Sequence, residues 1–328
     1  MIQLTYVEMP HSLFATGLVL DSVMQEVSCG NVRNCPACAN QESVVEGERS
    51  GFQIRRCRRC RTLFTAQLPD ASQAMPYDEY YSEANLTIPA FIQQRLKEIV
   101  DGFSVYRKTN RLLEIGFGEG SLLAAAKRAG WDAEGVEVSH GAIDHARAAG
   151  LKVFCGSLTE ANFSTECFDV VLASELIEHL PDPRALIIEV ARILRPGGLF
   201  WATTPNGSGV SAKTVGMDWT VISPPEHLQL FSASGVRQLL AEGGFRDIRI
   251  ASHGVNVFEI IHHYRARRMN DRAPASGDAP AGFDRVRSGY KLNESLTTNP
   301  IGLVVKYVAN SALRFTRLGD SLKITAIK

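Results

Sequence analysis

The chain has 328 residues, 45% of them hydrophobic and 21% charged, with a formal net charge of zero. That is enough for a full α/β core plus a satellite module, and the composition excludes a disordered or fibrous chain. Neutrality weighs against a nucleic-acid binder relying on a global positive field, and no uncharged run approaches the roughly 20 residues that span a bilayer.

Residues 1–30 carry no clear signal. Glu8, Pro10 and His11 interrupt a start that lacks the basic region of a secretory leader, so the expectation is a cytoplasmic protein with reduced thiols. Residues 31–70 read as a zinc ribbon, with cysteine pairs on turns and short strands near 43–46 and 52–56. Residues 71–110 form a connector that holds Tyr77, Tyr80 and Tyr81, candidates for a lid over a ligand or for plain packing. It ends in a helix at 90–103, where Leu96, Ile99, Val100 and Phe103 recur at helical spacing.

From residue 111 strands and helices alternate, as a parallel sheet with crossover connections requires. Strands are expected at 111–115, 133–138, 152–155, 168–174, 199–204 and 247–251, and helices at 121–129, 140–149, 185–194 and 232–242. The run 168–174 is the most apolar, as suits a central strand buried on both faces. Residues 254–270 read as helix, 271–288 as a Pro/Gly/Ala/Ser-rich loop, 300–317 as helix and 320–328 as a last strand. Residues 254–318 therefore form an insertion within a 111–328 domain.

Cys35, Cys38, Cys57 and Cys60 follow the pattern C-x2-C-x18-C-x2-C. Each tight turn can aim two thiolates at one metal, and two turns close a tetrahedral shell with no place left for water. The pattern points to a structural Zn2+. Neither pair sits at the strand-to-helix turn of a redox motif. Arg55, Arg56, Arg58, Arg59 and Arg61 flank the second pair. They suit either phosphate contacts or, more simply, solvated cations beside an electron-rich cluster.

The segment LLEIGFGEG at 112–120 places glycines at 116, 118 and 120 directly after the first core strand. Glycine lets the backbone turn sharply and approach a ligand closely. Glu114 separates this loop from a pyrophosphate cradle: a carboxylate there repels phosphate and suits the cationic amino group of S-adenosylmethionine. A second acid, Glu137, ends the next strand, where a carboxylate can accept both ribose hydroxyls.

These landmarks, with FDVVLASELIEH at 168–179, LRPGG at 194–198 and TPN at 204–206, resemble class I S-adenosylmethionine-dependent methyltransferases. The run EHLPDP at 178–183 is similar to the ubiquinone-biosynthesis O-methyltransferase type. The ribbon followed by Pro69 and the 77–81 tyrosines resembles the start of deoxysugar C-methyltransferases. The resemblance implies an α/β, Rossmann-like seven-stranded sheet of order 3-2-1-4-5-7-6 with an antiparallel last strand. It also implies cofactor contacts from Glu114, Gly116, Phe117, Gly118, Gly120, Glu137, Val138, Ser157, Leu158 and Ser174. Ser157 stands where such proteins usually offer an aspartate to the adenine. Glu175, Glu178 and His179 form a pattern associated with a divalent metal in the O-methyltransferase type.

An oxygen or carbon acceptor needs a base, and His179 and His227 are the candidates. Each could instead hold a loop in place. Trp219 is a candidate for the acceptor pocket. A homodimer through the C-terminal helices is the partner expectation. The function expected is methyl transfer to a small-molecule acceptor, with O-methylation ahead of C-methylation. The rivals are an RNA methyltransferase clamped by the ribbon and a non-catalytic binding module.

Overall fold

The computed structural model describes residues 32–70, 90–268, 313 and 316–328. The 77–81 tyrosines, residues 1–30, the expected loop 271–288 and nearly all of the expected helix 300–317 lie outside the described residues. Residues 33–328 form one compact unit.

The core sheet has seven strands: β4 (Arg111–Ile115), β5 (Asp132–Glu137), β6 (Lys152–Cys155), β7 (Phe168–Ser174), β8 (Leu194–Pro205), β10 (Arg246–His253) and β11 (Ser321–Ile327). Their order is β6-β5-β4-β7-β8-β11-β10, which in core numbering is 3-2-1-4-5-7-6, and β11 runs antiparallel to both neighbours. β7 lies mid-sheet and is buried except at Ser174, because both faces are covered. Helices α2 (Ser121–Arg128), α3 (His140–Ala148), α4 (Pro183–Ile193) and α6 (Ala233–Glu242) connect the strands. Helix α1 (Ala90–Asp101) packs against α2 and contributes Val100 to a core cluster with Phe103 and Trp201. Short α5 (Val210–Thr214) lies on the loop after β8, and α7 (Val257–Arg268) follows β10.

Two elements differ from expectation for local reasons. Helix α4 starts at Pro183 because Asp182 Oδ1 accepts from the N–H groups of Arg184 (3.0 Å) and Ala185 (3.1 Å). Asp–Pro is an N-cap followed by a residue preset for the first helical turn. Strand β8 starts at Leu194, not 199, because Leu194 already pairs with Phe168, and the turn at Pro196–Gly198 is absorbed as a register shift.

The ribbon builds a second sheet from β1 (Ser43–Arg49), β2 (Phe52–Cys57) and β3 (Leu63–Thr65). Its fourth strand, β9 (Gln229–Leu230), comes from the loop that precedes α6, and Leu63 and Phe64 pair with Leu230 and Gln229. Gly235 on α6 completes the join: a Cβ there would overlap Thr62 Oγ1 and lie 3.3 Å from Cys60 Sγ. Trp219, expected near the acceptor, is instead buried with Phe52, Ile54 and Leu63 between ribbon and loop. Its indole fills the seam that β9 creates, which sequence spacing alone does not reveal.

Candidate active site and metal centre

The four cysteine sulfurs lie within 4.8 Å of one another, and all four side chains are buried. Cys35 and Cys60 sulfurs are 3.5 Å apart and those of Cys38 and Cys57 3.6 Å. A tetrahedral zinc with bonds of about 2.3 Å separates its ligands by about 3.8 Å, so the set fits such an ion. The thiol-to-thiol hydrogen bond with Cys35 pulls Cys60 down to about 5. The same bond, with burial, pushes Cys35 well up. A cation at the centre of the four would favour their thiolate forms. The flanking arginines divide. Arg56 pairs with Glu46 at 2.6 Å and reaches Gly207 O, and Arg55 bonds Ser43 and Gln53, which supports a structural role for these two. Arg58, Arg59 and Arg61 are exposed.

The expected cofactor residues other than Gly120 line one cleft of about 1560 Å3 at the C-terminal ends of the parallel strands, where ligands of open α/β sheets bind. The volume exceeds the ~300–1,000 Å3 of a single-ligand pocket, leaving room for two reactants. Gly116 has φ +64°, where a side chain is strained, and a Cβ there would come 2.7 Å from Leu176 Cδ1 and displace it. Gly118 (φ +53°) donates its N–H to Glu137 Oε2 at 3.1 Å, while Val138 and Ser139 N–H groups hold Oε1 at 2.7 and 3.1 Å. The Glu137 carboxylate is therefore fixed at the strand end before any ligand arrives. Phe117 packs into the core beneath the loop, in space cleared by Gly135, whose Cβ would lie 2.6 Å from the ring. The sequence reading missed Gly135, which stands two residues before Glu137.

Glu114 is buried, and its Oε2 has no hydrogen-bond partner. Burial, helped by Glu119 and Glu137 nearby, pushes its carboxyl well above the usual range. An orphaned buried carboxyl at the mouth of a glycine loop is what an incoming ammonium would satisfy. Val138 is exposed at the cleft edge and Leu158 is buried beside it, a pair of apolar walls suited to an adenine. Ser157 is committed elsewhere: its N–H and hydroxyl both donate to Glu160 Oε2 at 2.7 Å. Its expected contact to adenine through the hydroxyl must therefore compete with Glu160. Ser174 ends β7 and shares a 3.0 Å hydrogen bond with Thr203.

Beyond Ser174 the chain turns at residues 177–179, which carry Glu178 and His179. His179 Nδ1 lies 2.9 Å from the Glu226 carbonyl oxygen, and its ring is 4.7 Å from that of His227. His227 Nδ1 lies 2.7 Å from the Val221 carbonyl oxygen and 3.2 Å from Ser223 Oγ. Burial lowers the His179 pKa and leaves its imidazole neutral near pH 7. Glu178 is buried. Thr204 Oγ1 donates to its Oε2 at 2.9 Å, and its Oε1 has no hydrogen-bond partner, with His179 Nε2 4.0 Å away. Burial and Glu175 push its carboxyl well up. Ligand atoms of Glu178, His179 and His227 lie within 4.8 Å of one another, so the converging trio holds His227 where the sequence pattern offered Glu175, which is exposed. The orphaned Glu178 oxygen makes this trio compatible with a cation.

A family model for a methyltransferase domain matches residues 88–250. A probable S-adenosylmethionine-dependent methyltransferase of Mycolicibacterium smegmatis is 32% identical over 186 residues, 53% of this chain and 69% of its own. A ubiquinone biosynthesis O-methyltransferase of Methylococcus capsulatus is 32% identical over 105 residues, 30% of this chain and 44% of its own length, so this match spans less than half of that relative. A solved structure of a SAM-dependent methyltransferase from Archaeoglobus fulgidus aligns with a TM-score of 0.47 at 18% identity, over 72% of this chain and 94% of that one. With the sheet order and the Glu114–Gly120 and Glu137 constellation, the chain belongs to the S-adenosylmethionine-dependent methyltransferases.

Proposed function

We propose that this enzyme transfers the methyl group of S-adenosylmethionine to a small-molecule acceptor, with a hydroxyl oxygen as the favoured nucleophile. The observation that carries the reading is the His179–His227 pair, 4.7 Å apart, on the cleft wall beyond the cofactor loop. Methyl transfer is an in-line displacement at carbon: the acceptor oxygen bonds the methyl as the carbon–sulfur bond breaks. Glu114, the glycine loop and Glu137 hold and orient the cofactor, and the walls of the cleft exclude water. A neutral imidazole of the pair takes the acceptor proton, which matters for a hydroxyl and not for an amine already deprotonated. A divalent cation, where one binds, would be held by Glu178, His179 and His227 and would acidify the acceptor hydroxyl as a Lewis acid. The four cysteines hold a structural zinc, and a location in the cytoplasm is consistent with reduced thiols. Among the described residues no helix is long and apolar enough to cross a membrane.

The test is transfer of labelled methyl from S-adenosylmethionine into cell extract, fractionated into small molecules, RNA and protein. Label in the small-molecule pool supports the reading. Label in RNA would overturn it in favour of substrate capture by the exposed Arg58, Arg59 and Arg61 of the ribbon.

A further inference from the structure

The two ends of the cleft carry different titratable groups. Its cofactor end is acidic, with Glu114, Glu119, Glu137, Glu175 and Glu178 on the wall, and a positively charged sulfonium with its ammonium suits it. Its other end is built on the three strands at the far edge of the sheet, and among the described residues Glu98 of α1 is the acid beside it. His253 is the last residue of β10, Ser321 the first of β11 and Pro205 the last of β8; pairing sets His253 opposite Ser321, and Ser321 opposite Pro205. Lys323 lies two residues along β11, on the same face as Ser321, and opposite Thr203. Helix α1 lays Arg95 against the same region. Thr203 ties this end to the cofactor end through its bond to Ser174.

We infer that His253, Lys323 and Arg95 form an anion-binding subsite that seats a carboxylate or phosphate carried by the methyl acceptor. This inference rests on the methyltransferase reading of the cleft and narrows its acceptor to an anionic molecule. The groups are close enough to feel one another: burial first, then Arg95 and Lys323, hold the His253 imidazole down at about 4. A neutral imidazole near two cations can donate an N–H to an anion without adding to their mutual repulsion. Lys323 Nζ stands 6.0 Å from the centroid of the Trp201 ring, whose buried Nε1 has no partner and offers another donor on this wall. Glu98, on the same helix as Arg95, also lines the cleft and is bonded by Gln94 Nε2 at 3.2 Å. Cations that line a cleft with low-dielectric walls concentrate an anion and orient it. Here they would draw the acceptor's far end to the sheet edge and leave its nucleophile facing the His179–His227 pair.

The experiment uses the full chain saturated with S-adenosylhomocysteine. Benzoate, phenyl phosphate and the uncharged benzamide are titrated while the imidazole signals of His253 are followed by NMR. The expected result is saturable movement of the His253 signals with benzoate or phenyl phosphate and none with benzamide. The tighter of the two anions names the group. Lys323→Met is expected to weaken anion binding at least tenfold and to leave S-adenosylhomocysteine affinity within twofold; Lys323 is exposed on its strand, so the fold should tolerate the change. Equal binding of benzamide overturns the subsite, as does anion binding untouched by both Lys323→Met and His253→Gln. Normal S-adenosylhomocysteine binding with no anion binding overturns the subsite alone. Failure to bind S-adenosylhomocysteine overturns the cofactor reading with it.

Discussion

Arg33, two residues before Cys35, donates from Nη2 to Gln229 Oε1 at 3.1 Å. The same guanidinium reaches the Leu228 carbonyl oxygen at 2.6 Å. Gln229 is buried, and its Nε2 donates in turn to the carbonyl oxygens of Ile177 (2.9 Å) and Leu180 (2.8 Å), on either side of Glu178 and His179. Backbone N–H groups of Leu228 and Gln229 both reach Glu178 O. The ribbon thus braces the turn that carries the proposed base. Gln229→Ala leaves the buried Ile177 carbonyl and the half-buried Leu180 carbonyl without this donor, a cost of about 1–3 kcal/mol for the buried one. We expect a lowered melting temperature and a kcat reduced about 10- to 100-fold, since displacing a catalytic group by about 1 Å has that effect. S-adenosylhomocysteine affinity should stay within threefold. A proportional loss of cofactor binding would show general unfolding instead.

Metal removal should be felt at the same turn. Cys60 O accepts from both Ser232 Oγ and Ser234 Oγ, and Ser232 also caps α6 through the Gly235 N–H at 2.9 Å. Cys57→Ser, or chelation of bound zinc, should therefore shift the NMR signals of His179 and His227 while the cofactor loop keeps most of its affinity. Unchanged histidine signals after proven zinc loss would show a ribbon that hangs independently on the core.

The histidine pair predicts an acid limb in the rate. Only a neutral imidazole can accept the acceptor proton, and burial depresses the His179 pKa. Activity should persist as pH falls to the ordinary histidine range and decline only below it. Replacing the true base by Asn should cost about 10²–10⁴-fold in kcat and abolish that limb. A profile unchanged by both His179→Asn and His227→Asn would remove the pair from the chemistry.

Strands β4, β6 and β7 were legible because five to seven residues of unbroken apolar or alternating pattern, or a short run between two glycine stops, leave little choice of structure. The glycine loop with Glu114 and Glu137 was legible for a different reason: a ligand's charge demands those residue types in a row of nearby positions. The ribbon's metal pattern was read from spacing alone, yet its attachment was not. β3 and β9 have three and two residues and lie over 160 positions apart, too short and too distant for periodicity to expose. The same holds for Gly235, whose missing side chain admits the ribbon, and for Trp219, whose partners come from both sides of that seam. The His179–His227 contact joins two turns 48 residues apart and needed the fold to bring it about. Asp182 and Pro183 were a readable cap that apolar spacing outweighed, which put the start of α4 two residues late.

Glu114 supplies a prediction with a definite sign. Its carboxyl is raised well above the usual range, chiefly by burial, so in the free enzyme it holds a proton at pH values where an exposed glutamate has lost it. A group whose folded pKa lies above its unfolded one favours the folded state at low pH, and that contribution is lost as pH rises from the unfolded pKa through the folded one. An ammonium placed against the carboxyl reverses this by stabilising the ionised form. Cofactor binding should therefore expel a proton from Glu114, and affinity should rise with pH until the free enzyme's Glu114 is itself ionised. Calorimetry of S-adenosylhomocysteine binding in two buffers of different ionisation enthalpy measures that proton directly. Glu114→Gln should abolish the release and weaken binding about 10- to 100-fold, matching the ~1.5–3 kcal/mol of a hydrogen bond to a charged group. Binding with no proton release in the wild type, and full affinity in Glu114→Gln, would remove Glu114 from the ammonium site.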